Sequence, residues 1–224
     1  MSPAALHDPA NAQPYQMEMY HRAALLLGPD RLRGKRVLEI SSGLGGGLDY
    51  LRRQHGIEFA VGLDRTLIAV GQARRRFGLD VVNGDARRLP FADRSFDAIV
   101  NIEASHLYFG DDFLSELARV LAPGGSVVLA DMRWGRLAEW EATMRSAFAK
   151  AGLDVVEFRD VSGNVIAACQ ADTPRREALL ATVPWPFRGL ARAYAGTERS
   201  ADYLDLNAGR ALYFILTARR ALAG

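Results

Sequence analysis

Glu39, Asp64 and Asp85 each stand at or near the end of a short apolar run, and a strongly polar run follows at Asn101–Tyr108. Glu39 is next to last in Arg36–Ile40, just before Ser41–Gly47, a stretch with so little side-chain bulk that a ligand can touch its backbone. A carboxylate four residues ahead of Gly43 would repel a pyrophosphate but suits a cationic ligand. Asp64 closes Phe59–Asp64, about 20 residues past the glycine loop, where a carboxylate accepts hydrogen bonds from both hydroxyls of a ribose. Asp85 lies in Gly84-Asp85-Ala86, at the end of a third apolar run. The polar run Asn101-Ile102-Glu103-Ala104-Ser105-His106-Leu107-Tyr108 offers His106 and Glu103 as proton acceptors. Imidazole is mostly neutral at cellular pH, as taking a proton from a hydroxyl requires.

The stretch from Glu39 to Gly45 resembles motif I of the class I S-adenosylmethionine-dependent methyltransferases, (Asp/Glu)-x-Gly-x-Gly-x-Gly. Gly43 and Gly45 match; Ser41 stands where the pattern has its first glycine. The resemblance extends over roughly residues 35–131, through Leu89-Pro90-Phe91, Ser95–Val100 and Leu121-Ala122-Pro123-Gly124-Gly125. It implies S-adenosyl-L-methionine as cofactor, with Glu39 at its ammonium, Asp64 at the ribose and Asp85 at the adenine amine. Ser41, Gly43, Gly45, Arg65, Ala86 and Asn101 complete the implied cofactor set. At a finer level, Asn101–His106 and the string from Val161 to Val165 look like the phthiotriol and phenolphthiocerol dimycocerosate O-methyltransferases. That likeness implies a hydroxyl acceptor on an apolar secondary metabolite or lipid, with His106 as general base and Glu103 orienting its ring or acting as the base itself. N- or C-methylation of a small molecule is the alternative.

These residues need a scaffold, and the pattern of apolar runs supplies one. Apolar residues from Tyr15 to Leu27 recur at helical spacing and predict a helix stopped by Gly28-Pro29. Strands are expected at Val37–Ile40, Phe59–Asp64, Leu79–Ala86, Ser95–Val100, Ser126–Ala130, Leu153–Val161 and Ala211–Thr217, with helices from about Thr66 to Phe77, over Asp111–Leu121 and over Trp134–Gly152. Alternating strands and helices give an α/β, doubly wound, Rossmann-like sheet with ligand atoms gathered at one edge. The resemblance makes it seven-stranded, the last strand antiparallel. Residues 162–210 are too long for a hairpin loop and carry apolar residues at helical spacing (Val165, Ile166, Cys169; Ala178, Leu179; Leu190, Tyr194), so they form a helical insertion broken at Val183–Phe187. The expected division is a helical cap over 1–34, a cofactor core over 35–161 plus 211–224, and a substrate lid over 162–210. Trp185 and Phe187 of the lid, Tyr15 and Tyr20 of the cap, and Tyr108 are the candidate acceptor contacts.

Composition narrows the alternatives. At 224 residues and 49% hydrophobic content the chain can bury one full core. A net charge of +2 argues against a polyanionic partner, and Arg74-Arg75-Arg76 reads as a solvated helix face. No membrane span or signal-peptide core is expected, residues 1–12 read as loosely docked, and a cytoplasmic location follows. Cys169 is the only cysteine, and His7, His21, His55 and His106 are scattered, so no metal is implied. A dinucleotide fingerprint needs glycine at position 48, where Leu48 stands, which argues against a dehydrogenase. A methyltransferase acting on a flipped base usually carries Asn/Asp-Pro-Pro-Tyr/Phe after its fourth strand, and Asn101-Ile102-Glu103-Ala104 is there instead. A non-catalytic relative would keep the fold and lose the three acids, which this chain retains. The partner is therefore a small-molecule acceptor and not nucleic acid; oligomeric state is left open.

Overall fold

The computed structural model describes residues 14–28, 32–193 and 195–222; the expectations for residues 1–12, Pro29 and Tyr194, and the position of His7, lie outside them. Helix α1 spans Pro14–Leu27, followed by strand β1 (Arg36–Ile40), helix α2 (Gly46–His55), strand β2 (Phe59–Asp64) and helix α3 (Leu67–Phe77). Strand β3 (Asp80–Asn83), strand β4 (Phe96–Ile102), a 3₁₀ turn at Ser105–Leu107, helix α4 (Asp111–Val120) and strand β5 (Leu121–Trp134) come next. Helix α5 (Leu137–Lys150) and strand β6 (Leu153–Asp160) precede the helices α6 (Ser162–Ala181), α7 (Trp185–Ala193) and α8 (Ala201–Asn207), and strand β7 (Ala211–Arg220) ends the set.

The strands form one seven-stranded sheet in the order β3-β2-β1-β4-β5-β7-β6. Strands β1, β2, β3, β4 and β5 pair in parallel, and β1 carries β2 on one side and β4 on the other, with Glu39 opposite Gly62 and Val100. The chain's winding reverses between β1 and β4, the place where open α/β sheets hold ligands in a crevice at the strands' carboxyl ends. Val37, Leu38 and Ile40 are fully buried, as a central parallel strand covered on both faces requires. Strand β7 runs antiparallel: the Arg220 guanidinium donates to the Leu121 carbonyl at 2.6 Å, while Gly135 N–H donates to the Arg210 carbonyl at 3.0 Å.

Two elements differ from their sequence expectation for a physical reason. Strand β5 starts at Leu121 instead of Ser126, because Pro123-Gly124-Gly125 lies within the strand as an irregularity. Phe96 pairs with Leu121 and Ala98 with Ser126, so the extra residues bulge out where proline's missing N–H costs the ladder nothing. Strand β3 is shorter than expected, since Gly84–Ala86 leaves it for a turn in which Asp85 bridges Arg88. The segment between β3 and β4 is then clamped by Arg119 of α4. Its guanidinium donates to the carbonyls of Leu89 and Phe91 at 2.9 and 2.8 Å and to Glu116 at 2.6 Å, and Glu116 accepts Leu89 N–H.

The chain divides into two compact units: Met1–Asp131 with Glu141–Phe158 and Ile215–Gly224, and Met132–Trp140 with Arg159–Phe214. The second unit is held by a buried charge cluster. Asp172 is 1% exposed and accepts from both Arg175 and Arg176, each at 2.6 Å, and Arg176 also donates to the Ala195 carbonyl. Among the described residues no helix is long and apolar enough to cross a membrane.

Candidate active site

The loop after β1 is folded against Asp64. Gly43 N–H donates to Asp64 Oδ2 at 2.8 Å and Thr66 N–H to Oδ1 at 2.8 Å, so this carboxylate at the end of β2 fixes the glycine loop. An ionised carboxylate has about four acceptor positions, and two remain for ribose hydroxyls. Gly45 caps α2 with a φ of +84°; a Cβ there would sit 2.7 Å from Leu79 Cδ1 and 2.8 Å from Ala73 Cβ, so no larger residue fits the turn. Asn83 Nδ2 ties the end of β2 by donating to the Asp64 and Arg65 carbonyls, leaving the Arg65 side chain exposed.

Glu39 is 1% exposed and accepts from the Tyr20 hydroxyl of α1 at 2.7 Å. Burial pushes its carboxyl up to about 8, against the opposing pull of the Tyr20 hydroxyl and the Leu48 N–H, with the Asp64 charge adding to the rise. Burial, and then the Glu39 charge, push the Tyr20 phenol well above its ordinary value. The second oxygen, Oε2, is buried without a hydrogen-bond partner among the described residues, as is Oδ1 of Asn101 on β4. Unpaired buried acceptors cost about 1–3 kcal/mol each, and two such acceptors on neighbouring strands suit a cationic group. The donor set therefore fits the ammonium of S-adenosylmethionine, and the glycine turn fits a ligand pressed to backbone.

Strand β4 leads into the second half of the site. Glu103 takes a φ of +54° and Ser41 a φ of +60°, so two residues with side chains sit in the left-handed region at the ends of adjacent strands. Such strain costs about 1–3 kcal/mol and concentrates where a site over-determines the backbone. Just beyond, Asp131 gathers the 3₁₀ turn. Ser105 Oγ donates to its Oδ2 at 2.6 Å, His106 N–H to the same oxygen at 2.7 Å, and His106 Nδ1 lies 2.9 Å from Oδ1. A carboxylate only accepts, so Nδ1 carries the hydrogen and Nε2 presents a lone pair. Asp131 is 2% exposed while the His106 side chain is 41% exposed, so the ring is anchored inward with room at its outer edge. Two residues on, the Tyr108 hydroxyl lies 2.8 Å from Ser41 Oγ and accepts from Asn101 Nδ2 at 2.7 Å, joining this turn to the glycine loop.

The structure thus gathers Glu39, Ser41, Gly43, Asp64, Asn101, Tyr20 and Tyr108 through direct bonds. Asp85 is half-buried at the end of β3, its Oδ1 accepting Arg87 N–H at 2.9 Å, beside the buried Ala86. Tyr15 is half-buried on α1. Trp185 and Phe187 stand on α7 of the second unit, 82% and 63% exposed. The His106 ring is oriented at Nδ1 by Asp131 and not there by Glu103, which was one of the two roles expected for Glu103. Asp131 has no motif around it; its signal is only its place just past the apolar run of β5. His21 and His55 prove to be neighbours at 3.3 Å, though no group of three or more metal-ligating side chains occurs among the described residues.

A family described as "Methyltransferase domain" matches residues 38–129. The chain is 41% identical over 186 residues to a probable phthiotriol/phenolphthiotriol dimycocerosates methyltransferase 2 of Mycobacterium ulcerans, covering 80% of this chain and 69% of that one. It is 36% identical over 199 residues to a fatty-acid O-methyltransferase of Mycolicibacterium smegmatis, covering 86% and 70%. The fold matches a Haemonchus contortus phosphoethanolamine N-methyltransferase 2 solved with S-adenosylhomocysteine at a TM-score of 0.76 and 17% identity, covering 91% of this chain and 52% of that one. With the strand-end carboxylates and glycine turn in place, these likenesses establish that the chain belongs to the class I S-adenosylmethionine-dependent methyltransferases, in the family of the phthiotriol/phenolphthiotriol dimycocerosates methyltransferases.

Proposed function

We propose that this enzyme methylates a hydroxyl, alcoholic, phenolic or carboxylic, on an apolar lipid-like acceptor, with His106 as the general base. The observation that carries the reading is the contact between His106 Nδ1 and the buried Asp131, which aims a basic nitrogen outward. The acceptor class is supported by the relatives named for phthiotriol and fatty-acid substrates.

When bound, the cofactor supplies an electrophilic methyl on a sulfonium, and the protein has to hold, align and desolvate. Glu39 and Asn101 hold the ammonium, Asp64 the ribose and Asp85 the adenine amine, with Gly43 and Gly45 lending backbone. His106 Nε2 takes the acceptor's proton as its oxygen becomes nucleophilic. The positive charge that then appears on the ring faces the Asp131 carboxylate, which stabilises it without itself being protonated. An acid acceptor arrives ionised and uses the ring chiefly for orientation; an alcohol or phenol needs it as base.

With an alcohol or phenol acceptor, His106→Ala should lower kcat on the order of 10²–10⁴-fold with cofactor affinity intact. Asp131→Asn should also slow turnover, because an amide at this position no longer fixes the ring's tautomer. If His106→Ala keeps more than about a third of wild-type turnover, outside the general-base range, proximity alone drives the reaction and an amine or carbon acceptor moves ahead.

A further inference from the structure

The hydrogen bonds joining the two halves of the site have a direction. Asn101 is fully buried, and its Nδ2 lies 2.8 Å from the Ile40 carbonyl. Only the amino side of an amide can face a carbonyl, so the orientation of this side chain is fixed. Its second amino hydrogen goes to the Tyr108 hydroxyl at 2.7 Å. The Tyr108 oxygen therefore accepts from Asn101. Its own hydrogen has one acceptor among the described residues, Ser41 Oγ at 2.8 Å. Burial pushes the Tyr108 phenol up to about 12, so it keeps that hydrogen at cellular pH. The chain runs Asn101 to Tyr108 to Ser41, and Ser41 is left with a hydroxyl hydrogen to give away at the rim of the glycine loop.

Around that hydrogen the polarity is mixed in one particular way. Glu39, next to last in β1 and two residues before Ser41, has its unpaired Oε2; Asn101, whose amino group binds both the Ile40 carbonyl and Tyr108, has its unpaired Oδ1. Two acceptors and one donor match the head of an α-amino acid, where an ammonium and a carboxylate share one carbon. We propose that Ser41 Oγ–H, the free end of this relay, binds the carboxylate of the cofactor's amino-acid end, beside the acceptors that take its ammonium. This gives a physical reason for a side chain at a φ of +60°, where glycine would be unstrained. A glycine has no hydroxyl for Tyr108 to direct. The inference rests on the cofactor assignment and adds to it a carboxylate-specific contact.

The test is calorimetric titration of the whole protein with S-adenosylmethionine and with its decarboxylated analogue, and needs no turnover. The wild type should prefer the carboxylated ligand. Ser41→Ala, which keeps the backbone strain, and Ser41→Gly, which relieves it, should both lose roughly 10- to 100-fold in affinity for S-adenosylmethionine, as for a hydrogen bond to a charged group. Affinity for the decarboxylated analogue should stay within about twofold of wild type, an energy difference below that of one ordinary hydrogen bond. Tyr108→Phe leaves Ser41 in place but cuts the relay, and should show the same selective loss in smaller measure. Equal weakening of both ligands would mean a distorted loop and overturn the proposal. An intact preference in the Ser41 variants, or selective loss in them with none in Tyr108→Phe, would overturn it too. A wild type that binds neither ligand would remove the cofactor assignment itself.

Discussion

Glu39 is a carboxyl held where water does not reach, and its proton follows from that placement. Unfolded, it ionises near the ordinary 4.5; folded, burial first of all moves it to about 8. Between those values the folded protein binds a proton that the unfolded chain releases. The contribution to stability is therefore complete below about 4.5 and is lost as pH rises through about 8. The melting temperature of cofactor-free protein should fall from pH 5 to pH 8.5 more steeply in the wild type than in Glu39→Gln. Parallel curves for the two proteins would contradict this. Adding S-adenosylmethionine should flatten the wild-type curve, because an ammonium beside Glu39 favours the ionised form. At this scale the strand-end acids were legible in the sequence, since a carboxylate after an apolar run and before a glycine turn has few other uses. Asp131 was not: an aspartate at the end of a buried strand looks the same whether it meets solvent or a histidine 25 positions back in the chain.

Helix α1 owes its place to a notch in α2. A Cβ at Gly47 would overlap the Tyr20 ring, so the first turn of α2 and the middle of α1 approach more closely than any larger residue allows. That approach is also what brings the Tyr20 hydroxyl to Glu39. Gly47→Ala should destabilise the fold by about 1–3 kcal/mol, as overpacking does. Tyr20→Ala should cost stability by itself, and the double variant should lose less than the two single losses combined, with a coupling of about 0.5–3 kcal/mol by denaturant unfolding. Additive losses would mean that the ring has another seat. The helix itself could be read from apolar spacing between Tyr15 and Leu27, whereas the notch could not, because Gly47 looks like one more glycine of the loop. The start of β5 was hidden for a related reason. Pro123-Gly124-Gly125 reads locally as a stop, and only pairing with β4 turns it into a bulge inside a strand.

For the whole molecule, the order of strands and helices was legible because each buried parallel strand leaves an apolar run and each crossover a helical period. The two strained residues at the crevice, Ser41 and Glu103, break local preference, and no propensity reveals them. The proposed acceptor contacts were the least legible, since such side chains need only be apolar and reachable. Methyl transfer to a hydroxyl of a lipid-like acceptor, as proposed for this enzyme, can be measured directly. The protein is incubated with methyl-labelled S-adenosylmethionine and a set of long-chain alcohols, phenols, fatty acids and matched amines, and the products are resolved by mass spectrometry. Label should appear as an O-methyl ether or ester on at least one hydroxyl-bearing chain. Label on the amines or on carbon with none on oxygen, while S-adenosylhomocysteine accumulates, would contradict the claim.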